Sequence, residues 1–219
     1  RIPALFCPLF LPRFRHTLPT MDILQSLALA GGMAWASGMR LYAVLFLAGL
    51  LGRFGYLQLP ATLTVLENPW IIGLSGVLLS IEFLADKIPA VDSVWDAIQG
   101  FIRIPAGALL AALAMGEHDP ALMVAAGLLG GTLTAGTFAA KAGSRALINT
   151  SPEPVSNVTA SLGEDLLTTS GLWIAIAHPV PFLILLGIFI LILIWLLPKI
   201  WRGIRAFLGL LRKKPSAIS

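Results

Sequence analysis

Glu82 and Asp86 stand four residues apart at the end of an apolar run, so on a helix both carboxylates project from one face. A pair of this kind can bind or relay a cation or a proton, or serve as acid and base on a phosphate ester. Lys141 and Arg145 have the same spacing, and such a basic pair suits an anionic group held by charge-assisted hydrogen bonds. Arg40, inside the first apolar run, and Glu164, inside the fifth, are the best placed to be buried and complete the main set of candidates for a substrate or ion cavity. Asp92, Asp96, Arg103, Ser144, Asn157 and Asp165 form a secondary set around them. Spacing alone assigns none of them a catalytic role.

Two polar segments must position these groups. In EFLADKIPAVDSVWDAIQGFIRIP, Glu82 to Pro105, four carboxylates, a lysine and an arginine gather in an otherwise oily chain. After Pro89, the residues Val91, Val94, Trp95, Ile98 and Ile102 form an apolar stripe, while Asp92, Asp96, Gln99 and Arg103 form a polar one at i, i+4, i+7 and i+11. Helices that lie on a membrane surface carry Lys and Arg on the polar face, whereas this face opens with two acids. It is therefore expected to turn inward, towards a cavity or basic partners; a solvated face near the headgroups is the alternative. The second segment, AKAGSRALINTSPEPVSNVTASLGED, supplies Lys141 and Arg145 and then a stripe of Asn157, Ser161, Glu164 and Thr168 at the same spacing. The expected pairs are Glu82 or Asp86 with Lys141 or Arg145, and Arg40 with Glu164 or Asp165. Ion pairs of this kind also fix helix register, so a purely structural staple is the competing reading.

The rest of the chain says what surrounds these segments. Hydrophobic residues make up 57% of the sequence, charged residues 12%, and the mean hydropathy is +0.87. A soluble domain carries about 25% charged residues. This is the composition of an integral membrane protein, and without short alternating segments it reads as helices rather than a β-barrel. The expected fold is an all-α, polytopic transmembrane bundle of about six spans: Ile23–Leu51, Trp70–Ala85, Ile104–Met115, Ala121–Ala140, Val158–Ala177 and Val180–Leu197. The third is too short to span alone; it is either extended by the residues before it or re-entrant.

The formal charge of +4 conceals three regions. Residues 1–20 carry three basic residues and no acid, residues 199–219 carry six and no acid, and the body between has a net charge of −5. The basic tail, with Trp201, Ile204, Leu208 and Leu211 on one side, reads as a cytoplasmic interfacial helix that binds anionic headgroups. Six spans would then place both termini in the cytoplasm. Residues 1–20, which hold four prolines and precede MDILQSLALAGG, read as a disordered upstream leader, with 21–198 as the transmembrane domain. Cys7 is the lone cysteine, and His16, His118 and His178 are far apart, so no metal site is expected. No nucleotide-binding glycine loop occurs, no cofactor is implied, and nucleic acid is not an expected partner. Membrane lipids are, and a homo-oligomer is left open by Ala106, Gly107, Ala111 and Ala114, small residues that suit close packing within or between chains.

The two matching stripes suggest repeats, residues 22–117 and 119–198, of three spans each and hence of opposite orientation. Ser37-Gly38 before Arg40 and Ala135-Gly136 in the fourth span are expected to interrupt their helices alike.

The blocks WASGMRLYAVLFLAGLLG, EFLADKIPAVDSVWDAIQGFIRIPAGALLA and AKAGSRALINTSPEPVSNVTASLGED resemble the bacterial integral-membrane family catalogued as domain of unknown function 4126, over about residues 21–205. The resemblance implies a bacterial inner-membrane location and carries no activity with it. A shorter likeness is to membrane-embedded undecaprenyl-pyrophosphate phosphatases: Glu82 and Asp86 resemble their acid pair and Gly143-Ser144-Arg145 part of a second motif, while the rest of those motifs is absent. Three functions follow: a transporter, channel or lipid flippase with a charged intramembrane cavity; a lipid-phosphate phosphatase with Ser144 as nucleophile; and a non-catalytic membrane scaffold.

Overall fold

A computed structural model describes residues 22–148 and 154–212, all of whose regular structure is helical. The helices are α1 (Ile23–Arg53), α2 (Pro69–Ala85), α3 (Pro89–Ala114), α4 (Pro120–Ile148), α5 (Pro154–Ala177) and α6 (Pro179–Arg212), with a short 3-10 helix, Ala61–Glu67, before α2. Each helix from α2 onward begins with proline, whose fixed φ suits the first helical position and whose missing N–H is no loss there. Asn68 and Asp119 cap α2 and α4, their side-chain oxygens accepting from the amides of Trp70 (2.9 Å) and Ala121 (2.7 Å).

Among the described residues four helices are long and apolar enough to cross a bilayer: α1, α3, α4 and α6. The 3-10 helix and α2, bent by 66°, are a further candidate as one broken span. Helix α3 is a single 26-residue helix through Pro105, so the short third segment is extended by the amphipathic stretch before it. Bulky apolar side chains cover the outside of the bundle, among them Trp70, Val77, Ile98, Phe101, Leu128, Leu191 and Ile194. A face this oily on every side fits lipid. Helix α6 also continues through Pro198 to Arg212, with no break between the last apolar run and the basic tail. Residues 1–20 and the side chains of Trp201, Ile204, Leu208 and Leu211 lie outside the described residues.

Helix α1 is the centre of the bundle, and it does not run straight. Arg40 has φ −145° and ψ 85°, which breaks the helix into halves 23–39 and 41–53. Both outer ends of these halves lie at the same end of the molecule. Ser26, near the start of α1, contacts His118 (2.9 Å), while Ala61, just beyond its end, donates its amide to Glu117 (2.9 Å). Gln25 and Leu29 likewise share a cavity with Tyr56, Leu57 and Gln58. The first apolar run, expected as one crossing, is thus folded back on itself with Arg40 at the tip. The Ser37-Gly38 pair weakens the ladder at the break, and the freed carbonyl of Met39 accepts from Lys141 Nζ at 3.3 Å.

Helix α4 corrects the expected symmetry, because it runs unbroken through Ala135-Gly136. Gly136 is there to admit a neighbour: a Cβ would stand 2.5 Å from a methyl of Leu193 in α6. The small residues of α3 serve packing inside the chain. Gly107 faces Thr134 and Ala111 faces Gly130, both closer than an added Cβ would allow, and Thr134 Oγ1 donates to Ala34 O of α1 at 2.8 Å.

Candidate functional site: a buried ladder of alternating charges

The tip of α1 lies among polar groups from α2, α3, α4 and α5. Arg40 is completely buried. Its Nη2 meets Asp86 Oδ2 at 2.6 Å and donates to Ser161 Oγ at 2.9 Å, and its Nε meets Asp165 Oδ1 at 2.5 Å. Arg145 reaches the same Asp86 oxygen at 4.0 Å and holds Glu164 with two nitrogens, at 2.8 and 3.1 Å. Lys141 bridges Glu164 (3.6 Å) and Asp96 (3.1 Å). Arg103 joins Asp96 (2.9 Å) to Glu82, with which it forms a close ion pair. Followed from end to end, the order is Asp165, Arg40, Asp86, Arg145, Glu164, Lys141, Asp96, Arg103, Glu82. Acids and bases alternate without exception, five against four.

Local structure explains how each group arrives. Asp96, Gln99 and Arg103 form the inward face of α3, whereas Val91, Val94, Ile98 and Ile102 of the same helix are exposed. The amphipathic stretch therefore points its polar side into the protein and its apolar side out, as its acidic start suggested. Gln99 Oε1 is held by Tyr42 Oη at 2.9 Å, which ties α3 to the second half of α1. Ser161, Glu164 and Thr168 form the matching face of α5, with Ser161 and Thr168 fully buried. The ends of the broken α1 add their own partial charges. The lysine sits on the carbonyl end of the first half, while Asp86 and Asp165 flank the arginine that precedes the amide end of the second.

Of the six main candidates, all six are in the ladder, joined by Asp96, Arg103 and Asp165 from the secondary set. The expected pairs formed in part. Arg40 does hold Asp165, and Arg145 does approach Asp86; but the chief partner of Arg145 is Glu164, that of Glu82 is Arg103, and Asp86 binds Arg40. The side chains of Asp92 and Asn157 lie outside the described residues. Ser144 is exposed on α4 and donates its hydroxyl to Lys141 O at 2.8 Å, one turn back on its own helix. Among the described residues no carboxylate or imidazole bonds to it, so it stands apart from the acid pair it was expected to work with.

Gln99 and Ser161 stand in the two polar stripes without being candidates for the site, and Ser37 is marked only by the Ser37-Gly38 pair. Ser37 Oγ, Arg40 Nη1, Glu82 Oε2 and Arg103 Nε are buried with no hydrogen-bond partner among the described residues. Buried polar atoms of this kind call for water or a ligand.

A family described as a domain of unknown function, DUF4126, matches residues 27–199. The chain belongs to it. No curated protein and no solved structure matches the chain. The stretch assigned to DUF4126 contains all nine members of the charge ladder, the break in α1 and the glycine contacts between α3 and α4, so these features lie within the family domain and not in an appended segment.

Proposed function

We propose that this DUF4126 protein is a membrane transport protein, a transporter, channel or lipid flippase, whose charge ladder is the coupling or conducting element. The observation that supports this reading is the ladder itself, nine alternating charges around the tip of a broken helix. On insertion scales a charge within the hydrocarbon costs roughly 2.5–3.5 kcal/mol, and apolar residues of similar volume would hold the helices at least as well. Discontinuous helices whose half-ends meet at a polar site recur in transporters. An alternating ladder with one carboxylate in excess can pass a proton or take up a cation by exchange of partners, with small side-chain movements.

The Lys and Arg excess of the tail and of the Lys141–Arg145 end supports a cytoplasmic side for those parts, in a bacterial inner membrane on this reading. Helices α2 to α6 then make five crossings, α5 included, because Ser161, Glu164 and Thr168 turn to the ladder while Leu162, Leu166 and Leu167 are exposed. With α1 folded back, the start of α1 lies on the opposite face from the tail. This reading has five crossings in place of six. The matched stripes of α3 and α5, which meet through Lys141, support a likeness between the two polar segments more than between whole halves of the chain.

The test is flux in proteoliposomes loaded with a pH-sensitive dye, under an imposed potential, with and without Na⁺ or K⁺. Wild type is expected to carry current that Glu82→Gln abolishes while the protein remains folded. Equal flux in the two, or none above empty vesicles for any of the three ions, would overturn the reading. The scaffold alternative draws support from the fact that each ladder charge has an opposite partner within 4.0 Å. It expects paired neutralisation, Glu82→Gln with Arg103→Gln, to leave everything intact.

A further inference from the structure

Helices α2 and α5 both pack on α1, and a groove of about 510 Å³ separates them on the outer face of the bundle. Its walls are apolar: Phe46 and Leu47 from α1, Leu79, Phe83 and Leu84 from α2. Asp165 of α5 also lines it. The volume is within the usual range for small-molecule sites, roughly 300–1,000 Å³.

The charge that a molecule in this groove would meet is set by the ladder. Asp165 is its terminal carboxylate, and its side chain is 28% exposed, against 12% or less for every other member. Arg40, its partner, is sealed behind it at 0% exposure. Seen from lipid, the ladder therefore presents an anion, and the ladder as a whole has one acid more than it has bases. Two aromatic rings, Phe46 and Phe83, stand in the same groove, and a ring face attracts a cation. Lys87 Nζ already sits 3.1 Å from the centroid of the Phe83 ring, so one face of that ring is in use by a cation, and the groove wall remains to Phe46.

We propose that the groove between α2 and α5 is a lateral entry site for an amphiphilic organic cation, with its apolar part against Phe46, Leu79 and Phe83 and its charge at Asp165. This rests on the transport reading and names its substrate class. The ligand enters from the membrane, and its charge would compete with Arg40 for Asp165, which couples occupancy of the groove to the order of partners along the ladder.

The experiment is equilibrium binding of radiolabelled tetraphenylphosphonium to the full chain in lipid nanodiscs, with tetraphenylborate as the anion of the same shape and empty discs as the partition blank. Saturable phosphonium binding is expected, at least tenfold weaker in Asp165→Asn, retained in Asp165→Glu, and lost in Thr169→Trp. Thr169 is exposed at the groove rim, outside the ladder, so that variant keeps the test independent of whether Asp165→Asn folds. Saturable borate binding as strong as that of the phosphonium, unchanged binding in Thr169→Trp, or no saturable phosphonium binding would each overturn the proposal. Because the readout is binding, an inert groove in a protein that still carries ion flux would refute this inference alone. A groove that binds in a protein with no flux of any ion or of the phosphonium would refute the transport reading instead.

Discussion

At the scale of single residues, the ladder makes removal of one charge different from removal of a pair. Arg103 is fully buried between Glu82 and Asp96. Arg103→Leu leaves Glu82 without its arginine and Asp96 with Lys141 alone, and stranding a buried charge in this way costs about 3–5 kcal/mol. Thermal unfolding in mild detergent should show a large drop for Arg103→Leu and a clear recovery in the double variant Arg103→Leu, Glu82→Leu. If the double variant is no better than the single, the two groups are not coupled as described. Ser144→Ala, by contrast, removes a bond to its own helix on an exposed face. Its effect on stability should stay within about 0.5 kcal/mol, and ion flux should equal wild type. Phosphate release from a lipid phosphate that disappears in Ser144→Ala would return the phosphatase reading to favour.

Elements are held by small residues where helices meet. The α3–α4 crossing depends on Gly107 against Thr134 and on Gly130 against Ala111. Gly130→Leu has to push these helices apart, an overpacking cost of typically 1–3 kcal/mol, visible as a lower unfolding temperature. Gly73 in α2 has nothing among the described residues within 4 Å of where a side chain would begin, so Gly73→Ala should be neutral or stabilising by roughly 0.5–1 kcal/mol, through the helix preference of alanine. A comparison of the two separates packing glycines from permissive ones. Gly38 belongs to the first kind, since a Cβ there would stand 2.6 Å from the carbonyl of Thr134, which is backbone and cannot turn aside. The break at Arg40 is therefore held from both sides, by close approach to α4 and by three partners on the guanidinium.

For the whole molecule, the fold-back of α1 decides which faces the ends of the domain reach. In a Cys7→Ser background, cysteines placed at Asp22 and at Glu117 should react with an impermeant maleimide from one side of sealed vesicles. A cysteine at Lys199 should react only from the other. Labelling of positions 22 and 199 from the same side would mean that α1 crosses the bilayer once and that its halves are not hairpin partners.

Much of this was legible in the residues. The hydropathy specified a helical membrane protein, because lipid leaves no other way to satisfy the backbone around so many apolar side chains. The alternation of Val94 and Ile98 with Asp96, Gln99 and Arg103 marked an inward polar face, since an acid-led stripe has no place on anionic lipid. The membership of the charged set was also readable, because charges are so rare in this chain that each is conspicuous. Their partners were not. Residues Arg40 and Asp165, or Glu82 and Arg103, are paired by how helices cross, and the distance between helices is fixed by the glycines and threonines at their contacts, which spacing along one helix does not encode. The fold-back of α1 lay out of reach for the same reason. Ser37-Gly38 permits a break, as Ala135-Gly136 does, but only Arg40 finds Asp86, Asp165 and Ser161 on the helices around it to hold the break open. Composition and periodicity settled what must be buried; tertiary contact settled which charge faces which, and so which carboxylate stays partly exposed.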